Sequence, residues 1–378
     1  MKKFAIHGFY GQGNLGDEAI LKALLQEFSK FPNIKVVVFC SKPKQVFRAH
    51  GVRSVNSQGR RNFLRRIWEI KTSDLFILGG GGLLKDYGND SSSLKEWLRL
   101  LKFAKKLNIK TALCAVGVEN IRYDESRKLI RDALDKVDVI TVRDCSSKDI
   151  LRDIRVANEV KVVSDPAVLL TNINTDKLED NLVSPKVIIC IRHWFSKGFY
   201  IEKPEINENF IRSLSIAADF LIEHYNKKIY FVPFRTTSYD DDRIVAKQVV
   251  SYMKHKDKIY IHSSAPEVDE FIEMVKQSSL VIGMRLHSLI LGTSIGVPVI
   301  GLEYMPKVRA YMESIKQSEY SLDLETITSE KLINKILITF EKYKERSQVI
   351  GLEISRLKKL ASTNIEDLIE LTNSVRRR

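Results

Sequence analysis

The chain has 378 residues, of which 44% are hydrophobic, 9% aromatic and 29% charged. This composition excludes disordered, collagen-like and disulfide-scaffold proteins, and the length is sufficient for two domains. The 61 lysines and arginines exceed the 47 aspartates and glutamates and give a net charge of +14. Such a charge favours anionic partners, namely phosphorylated metabolites, lipid head groups or nucleic acid.

Cysteine usage and hydropathy predict the cellular compartment. Cys40, Cys114, Cys145 and Cys190 form no C-x-x-C pair, so we expect neither a disulfide framework nor a zinc ribbon, and a reducing cytoplasm fits best. The apolar run after Met1–Lys3 is too short for a signal peptide. No apolar stretch approaches the ~18 residues of a membrane span. We therefore predict a cytoplasmic protein that is soluble or peripheral on the inner face of the cell membrane.

In the first half of the chain, short apolar strands alternate with amphipathic helices. This alternation is typical of a parallel sheet covered on both faces. The first helix is predicted at Asp17–Lys30, and the strands are predicted at Lys2–His7, Lys35–Cys40, Leu75–Leu78, Thr111–Val116, Val139–Val142 and Val160–Val163. A polar stretch at Thr171–Lys186 then predicts an interdomain linker.

After this linker the alternation restarts. Helices are predicted at Glu208–Tyr225, Asp241–Met253, Pro266–Gln277 and Leu286–Ile295, and strands at Val187–Ile191, Ile229–Pro233, Ile259–His262, Leu280–Gly283 and Val297–Gly301. The predicted fold class is α/β, with two Rossmann-like domains that face one another across a cleft. Their bounds are 1–175 and 186–378, and the last helix, near Ile365–Val375, packs back onto the first domain.

A glycine-rich loop, Gly8–Glu18, follows the first strand and has the pattern Gly-x-x-Gly-x-Gly-Asn-x-Gly-Asp-Glu. A dinucleotide fingerprint fails because the next strand ends in Phe-Cys-Ser-Lys without a carboxylate for the ribose. The loop suits sugar hydroxyls better than a triphosphate, with Gly13 and Asn14 as acceptor contacts. Asp17 is either the cap of a tight strand–helix turn or the base that takes a proton from a sugar hydroxyl.

Other polar or glycine-rich segments follow predicted strands. Gly80 and Gly81, within the run 79–82, either let a ligand approach the backbone or relieve crowding between loops. Arg192 and His193 either contact the acceptor or pack in the interior. The run 240–242, three aspartates, is interpreted as a helix N-terminal charge cluster rather than a metal or sugar site.

The segment Gly283-Met-Arg-Leu-His287 is the most informative in the chain. It places Arg285 and His287 where a buried strand ends and a helix begins. An arginine supplies a planar fork for a carboxylate or phosphate, and a histidine can move a proton near neutral pH. We interpret this pair as an anion-binding and acid–base site.

Taken with the glycine loop, the Gly79–Gly82 run and the Gly-Val-Pro-Val-Ile element at Gly296–Ile300, this segment resembles the polysaccharide pyruvyl transferases over roughly residues 1–315. The resemblance implies a GT-B-like fold and transfer of pyruvate from phosphoenolpyruvate to a sugar as a ketal, with release of phosphate. The acceptor saccharide would belong to a cell-wall or surface polysaccharide and is often lipid-linked in this family.

The resemblance also implies roles for single residues. Arg285 and His287 match the donor-site arginine and the catalytic histidine, Arg143 matches a second donor-binding arginine, and Lys307 matches a basic residue after the final strand. Met305 stands where the family often has aspartate. Because phosphoenolpyruvate is a small trianion, these cations suit it, and His287 is assigned general acid catalysis. No metal-ligand spacing is present, so we predict neither an essential metal nor a cofactor.

The sequence also allows two alternative functions and a contact with a membrane. A GT-B glycosyltransferase with a nucleotide-sugar donor is the main alternative, with Glu303 as the residue that would hold the ribose. A nucleic-acid-binding module is disfavoured because the positive charge is scattered and no binding motif is present. Basic and apolar residues at Arg60–Trp68 predict either contact with an anionic membrane or a solvated basic face with Trp68 in the core.

Overall fold

The computed structural model describes residues 1–59, 62–86, 92–173, 178–196 and 202–373. These residues form two compact units. The first unit contains residues 1–12 and 17–169 together with the described part of 357–378, and the second contains residues 13–16 and 170–356. The second half of the last helix therefore belongs to the first unit, whereas the sequence-based bounds of the second domain are 186–378.

The first unit is a seven-stranded parallel sheet with helices between consecutive strands. Its strands are β1 (Lys2–His7), β2 (Ile34–Cys40), β3 (Arg53–Asn56), β4 (Leu75–Lys85), β5 (Lys110–Glu119), β6 (Val139–Val142) and β7 (Val160–Val162). Its helices are α1 (Leu15–Ser29), α2 (Pro43–His50), α3 (Phe63–Lys71), α4 (Ser92–Lys106), α5 (Asp124–Leu134) and α6 (Cys145–Asp153). The strand order is β3-β2-β1-β4-β5-β6-β7.

The second unit is built around a six-stranded parallel sheet and a small antiparallel hairpin. Its strands are β8 (Lys186–Cys190), β9 (Lys228–Phe231), β10 (Thr236–Thr237), β11 (Asp240–Asp241), β12 (Ile259–Ile261), β13 (Ser278–Gly283), β14 (Val299–Glu303) and β15 (Ser321–Asp323). Its helices are α7 (Leu178–Val183), α8 (Pro204–Tyr225), α9 (Asp242–Tyr252), α10 (Val268–Lys276), α11 (Leu286–Ile295), α12 (Pro306–Ser314), α13 (Ser329–Glu341) and the first half of α14 (Tyr343–Leu371). The order in the large sheet is β12-β9-β8-β13-β14-β15.

Burial explains why the strand sequences are apolar at nearly every position. All six residues of β13 are buried, and in β1 the residues Phe4, Ala5 and Ile6 are fully buried. Both faces of each sheet are therefore covered, as expected for parallel sheets with helical crossovers. The predicted fold class, α/β with two Rossmann-like parallel sheets, is confirmed.

Several predicted boundaries were wrong. The strand predicted to end at Leu78 continues to Lys85, because β4 keeps pairing with β5 through a register shift beyond Gly81. The predicted strand at Val297–Gly301 begins at Val299, since Pro298 has no N–H to donate to a ladder. Helix α7 lies within the stretch predicted as a linker.

Cys40, Cys114, Cys145 and Cys190 are all free thiols. Among the described residues, no helix is both long enough and apolar enough to cross a bilayer.

Candidate functional site

The central carboxyl edge of the second sheet carries two of the predicted pairs of site residues. The strand order places β8 beside β13, with the earlier strands on one side and the later ones on the other. Open parallel sheets bind ligands at the carboxyl ends of the strands where the order reverses in this way. Arg192 and His193 follow β8, while Arg285 and His287 follow β13. Both pairs therefore leave the sheet at this edge.

Arg285 is buried in a close ion pair with Asp242. Its Nε donates to Asp242 Oδ2 at 3.0 Å, and its Nη2 donates to Asp242 Oδ1 and, at 3.4 Å, to Asp240 Oδ1. Asp242 Oδ2 also accepts the backbone N–H groups of Phe234 at 2.9 Å and Arg235 at 3.2 Å. Burial lowers the pKa of Arg285, but Asp242 and Asp240 more than offset this and raise it above its usual value. The guanidinium is therefore fixed in place and permanently charged.

Asp240 is the shared counter-ion of a three-arginine cluster. Its Oδ2 accepts from Arg192 Nη2 at 3.3 Å and from Arg235 Nη1 at 3.2 Å. Burial raises the pKa of Asp240, but Arg285, Arg192 and Arg235 together lower it below its usual value. Three guanidiniums therefore face two carboxylates, Asp240 and Asp242. Among the described residues, these three guanidiniums and two carboxylates leave one positive charge in excess, which favours an anionic ligand.

The neighbouring Asp241 has a different role. It is the N-cap of α9, and its carboxylate accepts the backbone N–H of Arg243 at 3.0 Å. It also pairs with the Arg243 guanidinium at 2.7 Å. The helix N-terminal interpretation of the aspartate run therefore fits Asp241, whereas Asp240 and Asp242 hold arginines.

His287 lies in the first turn of α11 and is half-buried. Its ring packs against Gly16, where an added Cβ would lie 2.3 Å from His287 Nδ1. Only glycine leaves room for the imidazole at that position. The second candidate histidine, His193, differs: it is 5% exposed, its Nδ1 lies 2.8 Å from Ser196 Oγ, and burial lowers its pKa. This environment keeps His193 neutral.

The glycine-loop segment 13–16 groups with the second unit. Asn14 forms an antiparallel bridge with Arg235, a member of the arginine cluster. The backbone of Gly13 has φ +70°, a left-handed conformation that glycine adopts without strain. Two of the residues predicted to contact the acceptor, Gly13 and Asn14, therefore belong to the same unit as the arginine cluster.

An aromatic patch adjoins the arginine cluster. The rings of Trp194 and Tyr304 pack edge to face, with centroids 4.8 Å apart. The Arg192 guanidinium lies 5.4 Å from the Trp194 ring and 5.6 Å from the Tyr304 ring. Lys307 Nζ lies 5.2 Å from the centroid of Tyr304. Both cations are thus within cation–π distance of the aromatic rings, and Tyr304 links Lys307 to the cluster.

In the first unit, Arg143 is buried among carboxylates. Its Nη2 donates to Glu119 Oε1 at 2.9 Å and its Nε to Asp144 at 3.4 Å, while Asp165 Oδ2 lies 3.7 Å from Nη1. Burial lowers the pKa of Arg143, but these three carboxylates raise it above its usual value. An added Cβ on Gly117 would lie 2.7 Å from Nη2, so a side chain there would displace the guanidinium. In the described part of the chain, three carboxylates therefore surround this one guanidinium.

The glycine run in β4 brings backbone close to two carboxylates of the first unit. Gly80 and Gly81 have φ values of +62° and +78°, which side chains other than glycine adopt only with strain. An added Cβ would lie 2.6 Å from Asp17 Oδ1 at Gly81 and 3.0 Å from Glu119 Oε1 at Gly82. Asp17 is 7% exposed and lies in the first turn of α1. The glycines therefore leave space that these carboxylates occupy.

Sequence reasoning missed several members of these clusters. Glu119, Asp165, Arg235 and Tyr304 were not singled out as members of either cluster, although each lies at or just beyond the carboxyl end of a parallel strand. That position was the signal that could have found them, because side chains at strand ends meet at one edge of a sheet. Among the residues that the structure describes, no group of three or more His, Cys, Asp or Glu side chains is arranged to hold a metal ion.

Comparison with known proteins identifies both the fold and the family. A profile described as "Polysaccharide pyruvyl transferase" matches residues 14–305. The amylovoran biosynthesis protein AmsJ of Erwinia amylovora is 25% identical over 135 residues, which are 34% of this chain and 31% of that protein. The chain therefore matches about a third of this curated relative.

Two solved structures resemble the chain over nearly its whole length. A glycosyltransferase from Rickettsia africae ESF-5 has a TM-score of 0.65 at 14% identity, with 99% of both chains covered. A putative UDP-N-acetylglucosamine 2-epimerase from Listeria monocytogenes has a TM-score of 0.63 at 14% identity, with 99% of this chain and 97% of that chain covered. At these identities the likeness shows the fold alone, which is the GT-B fold of two Rossmann-like domains.

Proposed function

Because the chain belongs to the polysaccharide pyruvyl transferase family and is thereby a transferase, we propose that its donor is phosphoenolpyruvate. The pyruvyl group is joined to two hydroxyls of a sugar in a cell-wall or surface polysaccharide precursor, which forms a ketal and releases phosphate. The observation that carries this proposal is the excess positive charge around Arg285, at the sheet edge where His287 begins α11.

Arg285 and Lys307, in the second unit, are assigned to the donor. Arg285 contacts Asp240 and Asp242 through Nε and Nη2, so among the described residues its Nη1 remains for a carboxylate or phosphate oxygen. Lys307, beside Tyr304, supplies a further cation. A trianion needs several such donors, because each charge-assisted hydrogen bond neutralises only part of its charge.

The proposed reaction uses these groups. His287, as imidazolium, donates a proton to the methylene carbon of phosphoenolpyruvate, and the cationic centre at C2 is attacked by the first sugar hydroxyl. The base takes the proton of that hydroxyl, and this proton then replaces the one that His287 gave to the methylene carbon. The C2–O bond to phosphate then breaks, the second hydroxyl closes the ring, and its proton leaves with the phosphate. General acid–base catalysis of this kind contributes about 10²- to 10⁴-fold in rate.

The acceptor is assigned to residues with hydrogen-bonding groups at the sheet edges. We assign Asp17 as the base and place acceptor contacts at Gly80, Gly81, Gly13 and Asn14. The buried carboxylate of Glu119, next to the same glycine run, is a second candidate base that the sequence did not reveal.

The roles that the sequence predicted for three other residues stay proposals. Arg192 and His193 are assigned to the acceptor and Arg143 to the donor. Arg143 is held by Glu119, Asp144 and Asp165, so an anion could bind its guanidinium only by displacing one of these carboxylates. The absence of an essential metal or cofactor also stays a prediction, which turnover in EDTA checks.

Phosphate release from phosphoenolpyruvate tests the assignment of His287. His287→Ala should lower kcat for phosphate release by about 10²- to 10⁴-fold in the presence of acceptor. His262→Ala is the matched control, because His262 is paired with Glu270 at the surface and should leave kcat unchanged. A wild-type rate in His287→Ala would remove the general-acid assignment.

The nucleotide-sugar alternative is not favoured by the structure around Glu303. Its carboxylate accepts from Arg309 Nε at 2.7 Å and from the Ser321 hydroxyl, so it is already engaged as a structural ion pair. Thermal denaturation with each ligand separates the two donors, since a ligand that binds only the folded state raises the melting temperature. Phosphoenolpyruvate should raise it, and a rise with UDP alone would favour the glycosyltransferase.

Helix α3 supports the proposal that the protein binds an anionic membrane surface. It exposes Phe63, Leu64 and Trp68, which are 52%, 79% and 55% exposed, and Arg65 on the same helix is also exposed. Trp68 is therefore not in the core. Arg60 and Arg61, the first residues of the segment noted in the sequence, lie outside the described residues. Exposed aromatic and basic side chains together suit a membrane interface. Flotation with phosphatidylglycerol vesicles at low salt tests membrane binding, and lack of association would refute the proposal.

A further inference from the structure

A pocket in the first unit lies between α3 and α4, apart from the clusters described above. Its volume is about 390 Å³, and Gly59, Phe63, Arg66 and Arg99 line it. Small-molecule sites range from about 300 to 1,000 Å³, so this pocket can hold a phosphate together with part of the group that carries it. The apolar ring of Phe63 and two guanidiniums form its walls.

Arg66 is a buried cation with unused hydrogen-bonding capacity. It is only 4% exposed, and its Nη2 donates to the carbonyl oxygen of Gly59 at 2.8 Å. Its Nη1 is buried and, among the described residues, has no hydrogen-bond partner. Leaving such a donor unsatisfied is costly, and a charged one more so. The missing partner is one that accepts hydrogen bonds.

Charge around the pocket also favours an anion. Burial first, and then the repulsion of Arg99, lowers the pKa of Arg66, while Glu96 acts in the opposite direction. His7 is buried at the end of β1, and its Nδ1 has no hydrogen-bond partner among the described residues. Burial, Arg99 and Arg66 lower the pKa of His7 to about 3. The guanidiniums of Arg66 and Arg99 thus both disfavour a positive charge on His7.

From this geometry we infer that the Arg66–Arg99 pocket binds a phosphate group carried by the saccharide acceptor. The assignment to the acceptor rests on the proposed function, whereas the binding of phosphate rests on the pocket alone. Arg66 Nη1 would donate to a phosphate oxygen, Arg99 would close over the same group, and Phe63 would pack against the organic part of the ligand.

Calorimetric titration of the full chain with glucose 1-phosphate, and with glucose as the phosphate-free control, tests the pocket directly. Arg66→Gln and Arg99→Gln should each weaken glucose 1-phosphate binding by about 10-fold or more, which is the loss expected for one charge-assisted hydrogen bond. Lys106→Gln is the matched control, because Lys106 is exposed on α4 but does not line the pocket, and its affinity should stay within about 3-fold. Arg99 is exposed, so its variant reports on binding even if Arg66→Gln folds poorly.

The possible results lead to different conclusions. Equal affinities for glucose 1-phosphate in wild type, Arg66→Gln and Arg99→Gln would refute the claim that the pocket binds phosphate. If these variants weakened binding to phosphatidylglycerol vesicles but not to glucose 1-phosphate, the pocket would serve a lipid head group and the acceptor assignment would be overturned. With a phosphate-free diol acceptor, the wild-type protein should still form a ketal from phosphoenolpyruvate, and this readout tests pyruvyl transfer independently of the pocket.

Discussion

Replacing Asp242 by asparagine should destabilise the second unit strongly. The carboxylate is 2% exposed and accepts four hydrogen bonds, two from Arg285 and two from backbone N–H groups. Asparagine keeps the shape but removes the charge and turns one acceptor into a donor that faces donors. Breaking a buried ion pair from one side costs about 3–5 kcal/mol in the free energy of unfolding.

Thermal denaturation followed by circular dichroism measures this loss. For a domain of 150–250 residues, each kcal/mol lowers the melting temperature by about 2–4 °C, so Asp242→Asn should lower the transition of the second unit by about 6–20 °C. Asp241→Asn is the matched control. Asparagine caps helices as well as aspartate does, and the partly exposed pair with Arg243 contributes about 1 kcal/mol or less. Equal losses in the two variants would refute the claim that Asp242 is the buried counter-ion of Arg285.

The remaining predictions concern the donor site and pH. Arg285→Lys should raise the KM for phosphoenolpyruvate about 10-fold or more, because lysine cannot form the planar fork; an unchanged KM in steady-state kinetics would count against the donor site. Gly16→Ala should lower kcat by displacing the His287 ring, with little change in KM, and an unaltered kcat would mean that the ring position is unimportant. The pKa of His7 is near 6.5 in the unfolded chain and about 3 in the folded chain. The contribution of neutral His7 to the free energy of unfolding is therefore complete above pH 6.5 and is lost as the pH falls toward 3. The loss is at most about 1.4 kcal/mol per pH unit. His7→Phe should remove this slope in urea denaturation at several pH values, and an unchanged slope would contradict it.

The fold could be predicted because burial of both sheet faces leaves a simple pattern. Apolar runs such as Lys2–His7 and Val139–Val142 agree with β1 and β6 at both ends. The pattern fails where side chains are absent. Gly79–Gly82 offers no apolar side chain to count, yet the backbone continues as β4 and pairs with β5.

The arrangement of the site could be predicted only in part. Arg285 and His287 stand two positions apart, and their place at a strand end follows from the sequence. The counter-ion of Arg285 does not, since Asp242 lies 43 residues earlier in the chain and meets it only because β9 and β13 flank β8. The same holds for Arg143 and Glu119, which the pairing of β5 with β6 brings together. Long-range ion pairs depend on strand order, which local patterns do not encode.

The most direct test of the proposed activity is mass spectrometry of a panel of synthetic lipid-linked disaccharides after incubation with the protein and phosphoenolpyruvate. The account predicts that at least one acceptor gains a pyruvyl ketal, with release of an equal amount of phosphate, and that His287→Ala forms neither product. Transfer of a glycosyl residue from a nucleotide sugar to the same acceptors, with no ketal formed from phosphoenolpyruvate, would contradict it.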